Sequence, residues 1–131
     1  MNTMEILFIE GTEQTPKVDF NHTDGKLLIR GRSLPENAVE FYSPMFSWLD
    51  NYVEVAPQRT ELSIDLDYLN SISQKMMVEI LKSARKLVDL GKDVVVNWYY
   101  DEEDEKMLEE GKNLALENEL EFNMFERPET E

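Results

Sequence analysis

The sequence predicts a single α/β domain on a mixed β-sheet, with elements in the order β-β-β-α-β-α-β-α-β. Three observations carry that expectation. The second half alternates apolar strand-like runs with amphipathic helical stretches, the pattern of strands joined by crossover helices. His22-Thr23-Asp24-Gly25 separates two alternating runs, and an Asp-Gly turn in that setting signals a hairpin. Glu61–Leu90 reads as a buried strand, a short turn and a long amphipathic helix, the unit on which the rest is arranged. No repeat or low-complexity linker marks a second domain. Residues 1–131 are therefore read as one domain ending in a polar tail, 126–131.

Taken in order, Met4–Ile9 is a short apolar run and the first strand, and Gly11–Pro16 is a loop by its Gly, Thr and Pro content. Lys17–Asn21 and Lys26–Gly31 form the hairpin. Arg30–Asn37 leads into a helix, with Ser33 a candidate cap and Pro35 suited to the first turn. Val39, Tyr42, Met45, Phe46, Leu49, Tyr52 and Val53 share one side of that helix, and Pro44 inside it predicts a kink or a break. Phe41 and Trp48, seven positions apart, share another side, which either packs as core beneath a loop, the favoured reading, or forms an exposed partner surface.

Val55–Thr60 connects to the central strand, where Ile64 and Leu66 face one way and Asp65 and Asp67 the other. The next helix carries Met76, Met77, Ile80, Leu81, Ala84, Leu87 and Val88 as one stripe, and Gly91 closes it. Lys92–Tyr99 is β-branched and aromatic, a strand. Tyr100–Glu105 is an acidic run opening a helix with Met107, Leu108, Leu114 and Ala115 as its sparse apolar face. Leu120–Phe125 is the last strand.

A hydrophobic content of 41% with 10% aromatics suits a packed core over a disordered chain. The 28 acidic residues against 13 basic ones leave a charge of −15, which repels phosphate backbones and anionic lipid. Nucleic-acid and membrane partners are thus disfavoured, and a basic protein surface is the natural counterpart. The absence of cysteine excludes disulfides, thiolate catalysis and cysteine-ligated metals. No apolar stretch approaches a membrane span, and the N-terminus has no basic-then-apolar signal pattern, so a cytoplasmic domain is expected.

No nucleophile elbow, phosphate-binding Gly-rich loop or paired-histidine metal motif is present, and neither a metal nor a cofactor is expected. The single histidine, His22, reads as a turn residue. Asp65 and Asp67 could bind a metal or form an acid/base pair, but alternating acids are common on a solvent-facing strand side. Ser71 is the richer position. Ser71-Ile72-Ser73-Gln74 fits a capping box, with the Ser71 hydroxyl accepting a first-turn N–H and Gln74 reaching back. The same geometry would stabilise a phosphate at a helix N-terminus. The residues alone leave both readings open.

Three stretches together resemble the SiaC family of bacterial regulatory phosphoproteins: Gly31–Tyr52, Tyr68–Met77 and Asn97–Leu108. Thr15-Pro16 also fits, and the likeness spans almost the whole chain. A weaker similarity is to STAS domains, in which a serine at the start of a helix after a central strand is phosphorylated. The resemblance implies a single STAS-like domain without enzymatic activity, phosphorylated on one hydroxyl after the Tyr-Leu-Asn segment. It further implies a GHKL-type protein kinase, a SpoIIE-type phosphatase and an effector such as a diguanylate cyclase, in partner switching that governs biofilm formation. The matching acceptor is Ser71, with Ser73 as fallback. Where the family reads Asn-Thr-Ser-Ser, this chain has Asn70-Ser71-Ile72-Ser73. The expected recognition surface comprises Asn70, Ser71 and Gln74 with Arg30, Arg32, Ser33, Pro35, Glu36 and Asn37. The rival expectation is a constitutive acidic adaptor or oligomerisation domain in which Ser71 only caps a helix.

Overall fold

The computed structural model of the chain describes residues 4–128. Its elements are β1 (Leu7–Ile9), β2 (Lys17–Asn21), β3 (Lys26–Ser33), α1 (Ala38–Val55), β4 (Arg59–Leu69), α2 (Ser71–Asp89), β5 (Asp93–Asp101), α3 (Glu105–Glu117) and β6 (Phe122–Arg127). The predicted order is the observed one. The six strands form one mixed sheet in sequence order, antiparallel from β1 to β3 and parallel from β3 to β6.

The predicted hairpin is present, with Gly25 at φ 71° in its turn. A Cβ there would lie 2.4 Å from the Arg59 carbonyl oxygen, so only glycine closes this corner. Because β3 to β6 advance one neighbour at a time, right-handed crossovers put all three helices on one face. The core lies under that face. Leu62, Ile64 and Leu66 of β4 meet Tyr42, Met45 and Tyr52 of α1 and Met77, Ile80 and Leu81 of α2 within it. Helix α1 packs along α2, while α3 lies over β5 and β6. Gly111 lets α3 approach, since a Cβ would sit 2.5 Å from the Trp98 indole, whose N–H donates to the Met107 carbonyl at 3.0 Å.

Several expectations change. Helix α1 runs unbroken through Pro44, whose exposed side leaves the Glu40 carbonyl open to water. Val39 is 60% exposed and lies outside the core. Trp48 is buried and donates its N–H to the Glu5 carbonyl at 2.7 Å, so the N-terminal segment covers it; Phe41 is half-buried edge-on against Tyr42. Asp65 does not face solvent. It is 8% exposed and ion-paired with both Arg30 of β3 and Arg127 of β6. Strand β6 therefore continues to Arg127, two residues into the stretch expected as a tail. Residues 129–131 of that stretch lie outside the described residues.

Candidate functional site

The carboxyl ends of β3, β4 and β5 each lead into a helix, so three helix N-termini gather along one edge of the sheet. Each is capped by a side-chain oxygen. Asn37 accepts from the Glu40 N–H at 3.1 Å, Asn70 from the Ser73 N–H at 3.0 Å, and Asp104 from the Met107 N–H at 3.0 Å. The cap of α1 is thus Asn37 rather than Ser33, and Pro35 is buried before the helix begins. The cap of α2 is Asn70 rather than Ser71. An asparagine competes well for this role, and the backbone N–H of Asn70 is itself held by the Ser33 carbonyl at 3.1 Å.

Displaced from the cap, Ser71 is the first helical residue and is exposed. Tyr68 and Ile72 flank it, 47% and 41% exposed, and the Arg32 guanidinium stands 5.8 Å from the Tyr68 ring centroid. Ser71 therefore sits in a small apolar patch with a cation at its border. Ile72, adjacent to Ser71, adds apolar surface to that patch.

Ser73 has the opposite setting. It is fully buried, and its hydroxyl donates to the Ser33 carbonyl at 3.1 Å. The Ser33 hydroxyl donates to Ser73 Oγ at 2.8 Å, which leaves Tyr42 as donor to Ser33 Oγ at 2.5 Å. Every hydroxyl in this chain has an acceptor, as buried polar groups require. Burial pushes the Tyr42 phenol up to about 12, with its hydrogen-bonded partners Ser33 and Ser73 pulling the other way. The chain ties the end of β3, the second turn of α1 and the first turn of α2 together, two residues from Ser71. Two expectations are corrected by it. In the folded protein Ser73 cannot be reached as a fallback acceptor, and Ser33 is interior rather than part of a recognition surface.

The other expected surface residues divide. Arg32, Glu36 and Asn37 are exposed, though the Asn37 side chain is engaged as a cap. Asn70 and Gln74 are half-buried. Arg30 belongs to a charge cluster on the helix-free face, donating to Asp65 at 3.2 Å. There Arg127 reaches Asp65, Asp67 at 3.4 Å and Asp101 at 3.0 Å. Asp65 and Asp67 are thus both ion-pair partners of arginine side chains. His22 lies in the hairpin at the amino end of β3, the opposite end of the sheet from Ser71. Among the described residues no group of three or more His, Asp or Glu is placed to hold a metal.

Sequence reasoning missed Tyr42, Tyr68 and Arg127. Tyr68 lies in the same short segment as Ser71, but strand alternation could not show the irregularity at Asp67 that leaves Tyr68 exposed. Nothing in Arg127 itself signals a partner 62 positions away.

The geometry can be set beside known proteins. The model of the SiaC family regulatory phosphoproteins matches residues 9–127. An uncharacterized protein of Pseudomonas aeruginosa (strain UCBPP-PA14) is 32% identical over 106 residues, covering 81% of this chain and 84% of its own. Among solved structures, a crystal structure of the P. aeruginosa diguanylate cyclase SiaD in complex with its activator SiaC contains a similar chain. It superposes with a TM-score of 0.84 at 29% identity, covering 92% of this chain and 99% of that one. Apo-SiaC from P. aeruginosa gives 0.84 at 28% identity, covering 93% and 99%. No helix among the described residues is long and apolar enough to cross a membrane.

Proposed function

This chain belongs to the SiaC family of regulatory phosphoproteins, a regulator and not a catalyst, and we propose that it is a partner-switching protein whose switch is Ser71. The observation that carries the reading is the contrast between two neighbouring hydroxyls. Ser73 is sealed inside the hydroxyl chain, whereas Ser71 is exposed in an apolar patch and relieved of capping by Asn70. The adaptor reading made Ser71 a helix cap, and the cap supplied by Asn70 instead supports the switch reading over it.

The mechanism follows from charge and desolvation. A partner that covers Tyr68 and Ile72 removes water from around Ser71 as well. Phosphorylation adds roughly −1.5 to −2 charges there. The phosphate would lie at a positive helix end, one turn from Lys75, so the free protein tolerates it. Burying the same dianion under a partner without a matching cation costs several kcal/mol. The complex weakens by orders of magnitude while the fold is unchanged. A GHKL-type kinase and a SpoIIE-type phosphatase would set the phosphorylation level, and a diguanylate cyclase would be the effector, the class with which P. aeruginosa SiaC crystallised as activator. On this reading residues 1–131 act as one STAS-like regulatory domain in the cytoplasm, with a role in biofilm control.

Intact-mass and phosphopeptide analysis of the protein isolated from its own host tests this, with Ser71→Ala as control. One phosphate mapping to Ser71 and absent from the variant is expected. A protein that stays unmodified while the cognate kinase is expressed, or a phosphate elsewhere, overturns the assignment.

A further inference from the structure

Helices α1 and α2 pack on each other, but α3 stands apart from α2, and a groove runs between them. At the carboxyl edge of the sheet it opens as a cavity of about 60 Å³. It continues as a second cavity of about 210 Å³, with Gln74 and Glu110 in the walls of both. The floor of the first is apolar, built from Tyr68, Leu69 and Met107. Its rim carries Asp67 and Asp104. Glu110 Oε1 is shielded from solvent there and has no hydrogen-bond partner among the described residues.

We propose that this groove is a docking slot for a basic side chain of a bound protein partner. The lysine or arginine would lay its aliphatic stem on Tyr68, Leu69 and Met107 and bring its cation to Glu110. The inference rests on the reading of the chain as a protein-binding regulator and adds where and by what chemistry the partner is held.

Three features fit that occupant. The segment Asp101–Glu117, which walls one side, has eight acidic residues against two lysines, the densest negative stretch of a chain at −15. Lys75 and Lys106 are the lining's own cations, and they do not balance Asp104, Glu110 and Glu117, while Asp67 is already paired with Arg127. Burial raises the Glu110 carboxyl above the usual range despite the nearby Lys106, so a further cation would satisfy it. A free metal ion would meet no set of three acidic ligands among the described residues, and its charge would leave the apolar floor bare. A basic side chain, apolar along its stem and charged at its tip, matches both surfaces. The slot begins at Tyr68 and Gln74, within one helical turn of Ser71, so one partner can cover switch and slot together.

The test is amide chemical-shift mapping on the full unphosphorylated chain. The probes are a synthetic amphipathic helical peptide with lysines beside a leucine stripe, its Lys→Glu counterpart, and magnesium ion alone. The lysine peptide should saturably shift the amides of Tyr68, Gln74, Met107 and Glu110, and the glutamate peptide should not. Glu110→Gln combined with Asp104→Asn keeps shape and helix cap, and should weaken lysine-peptide binding about tenfold at low salt. Unchanged affinity in that variant, shifts scattered over the outer acids of α3, or magnesium reproducing the pattern would each overturn the proposal. Ser71 phosphorylation plays no part in this measurement, so its outcome is separate from that of the switch.

Discussion

Breaking the hydroxyl chain of Tyr42, Ser33 and Ser73 should show a strong, calculable coupling between β3 and α1. In Ser33→Ala the Tyr42 hydroxyl keeps its full burial but loses its acceptor, and Ser73 Oγ loses its donor. Leaving a buried hydroxyl unpaired costs about 1–3 kcal/mol, so about 2.5 kcal/mol is expected once the lost bonds are included. Tyr42→Phe removes only the outermost donor, and Ser33 still bonds Ser73, so about 1 kcal/mol is expected. In the double variant no orphaned phenol remains, and the loss should be about 2 kcal/mol rather than the sum of about 3.5 kcal/mol. The coupling of about 1.5 kcal/mol is well outside the error of a mutant cycle. Urea unfolding followed by the buried Trp48 and Trp98 measures it. Additivity of the two substitutions to within about 0.5 kcal/mol would refute the chain as described.

The identity of the α2 cap predicts an asymmetry between adjacent residues. Asn70→Ala should cost about 1 kcal/mol by losing the bond to the Ser73 N–H, whereas Ser71→Ala should change stability by less than about 0.5 kcal/mol; paired thermal denaturation compares them directly. Tyr42 predicts an alkaline limit. Its pKa, about 12, lies above the unfolded value near 10, so the folded state keeps a proton that the unfolded chain releases. Its contribution is therefore complete below pH about 10 and is lost as pH rises towards 12, amounting to about 3 kcal/mol. Unfolding free energies across that range, with Tyr42→Phe as control, should show the loss in the parent and a smaller one in the variant.

Much of the architecture was legible in sequence because its causes are local. The Asp24-Gly25 turn, the apolar stripe of α2 and the β-branched run of β5 each specify an element by spacing and residue type alone. Their order then confines the helices to one face through the handedness of the crossovers. Ser71 was visible as a candidate for the same reason, lying between a strand signal and a helix signal. Its environment was not visible. Whether Asn70 or Ser71 caps α2 depends on the Ser33 carbonyl, 37 residues earlier, which holds the Asn70 N–H. Whether Ser73 is accessible depends on Tyr42 and Ser33 meeting it across three elements. Asp65 looked solvent-facing by alternation, yet arginines from β3 and from the last strand close over it. Local sequence determined the elements and their order through backbone propensity and hydrophobic period. Only the tertiary structure decided which hydroxyl is free and which carboxylates are paired, since both depend on side chains from distant strands and helices brought within hydrogen-bond reach.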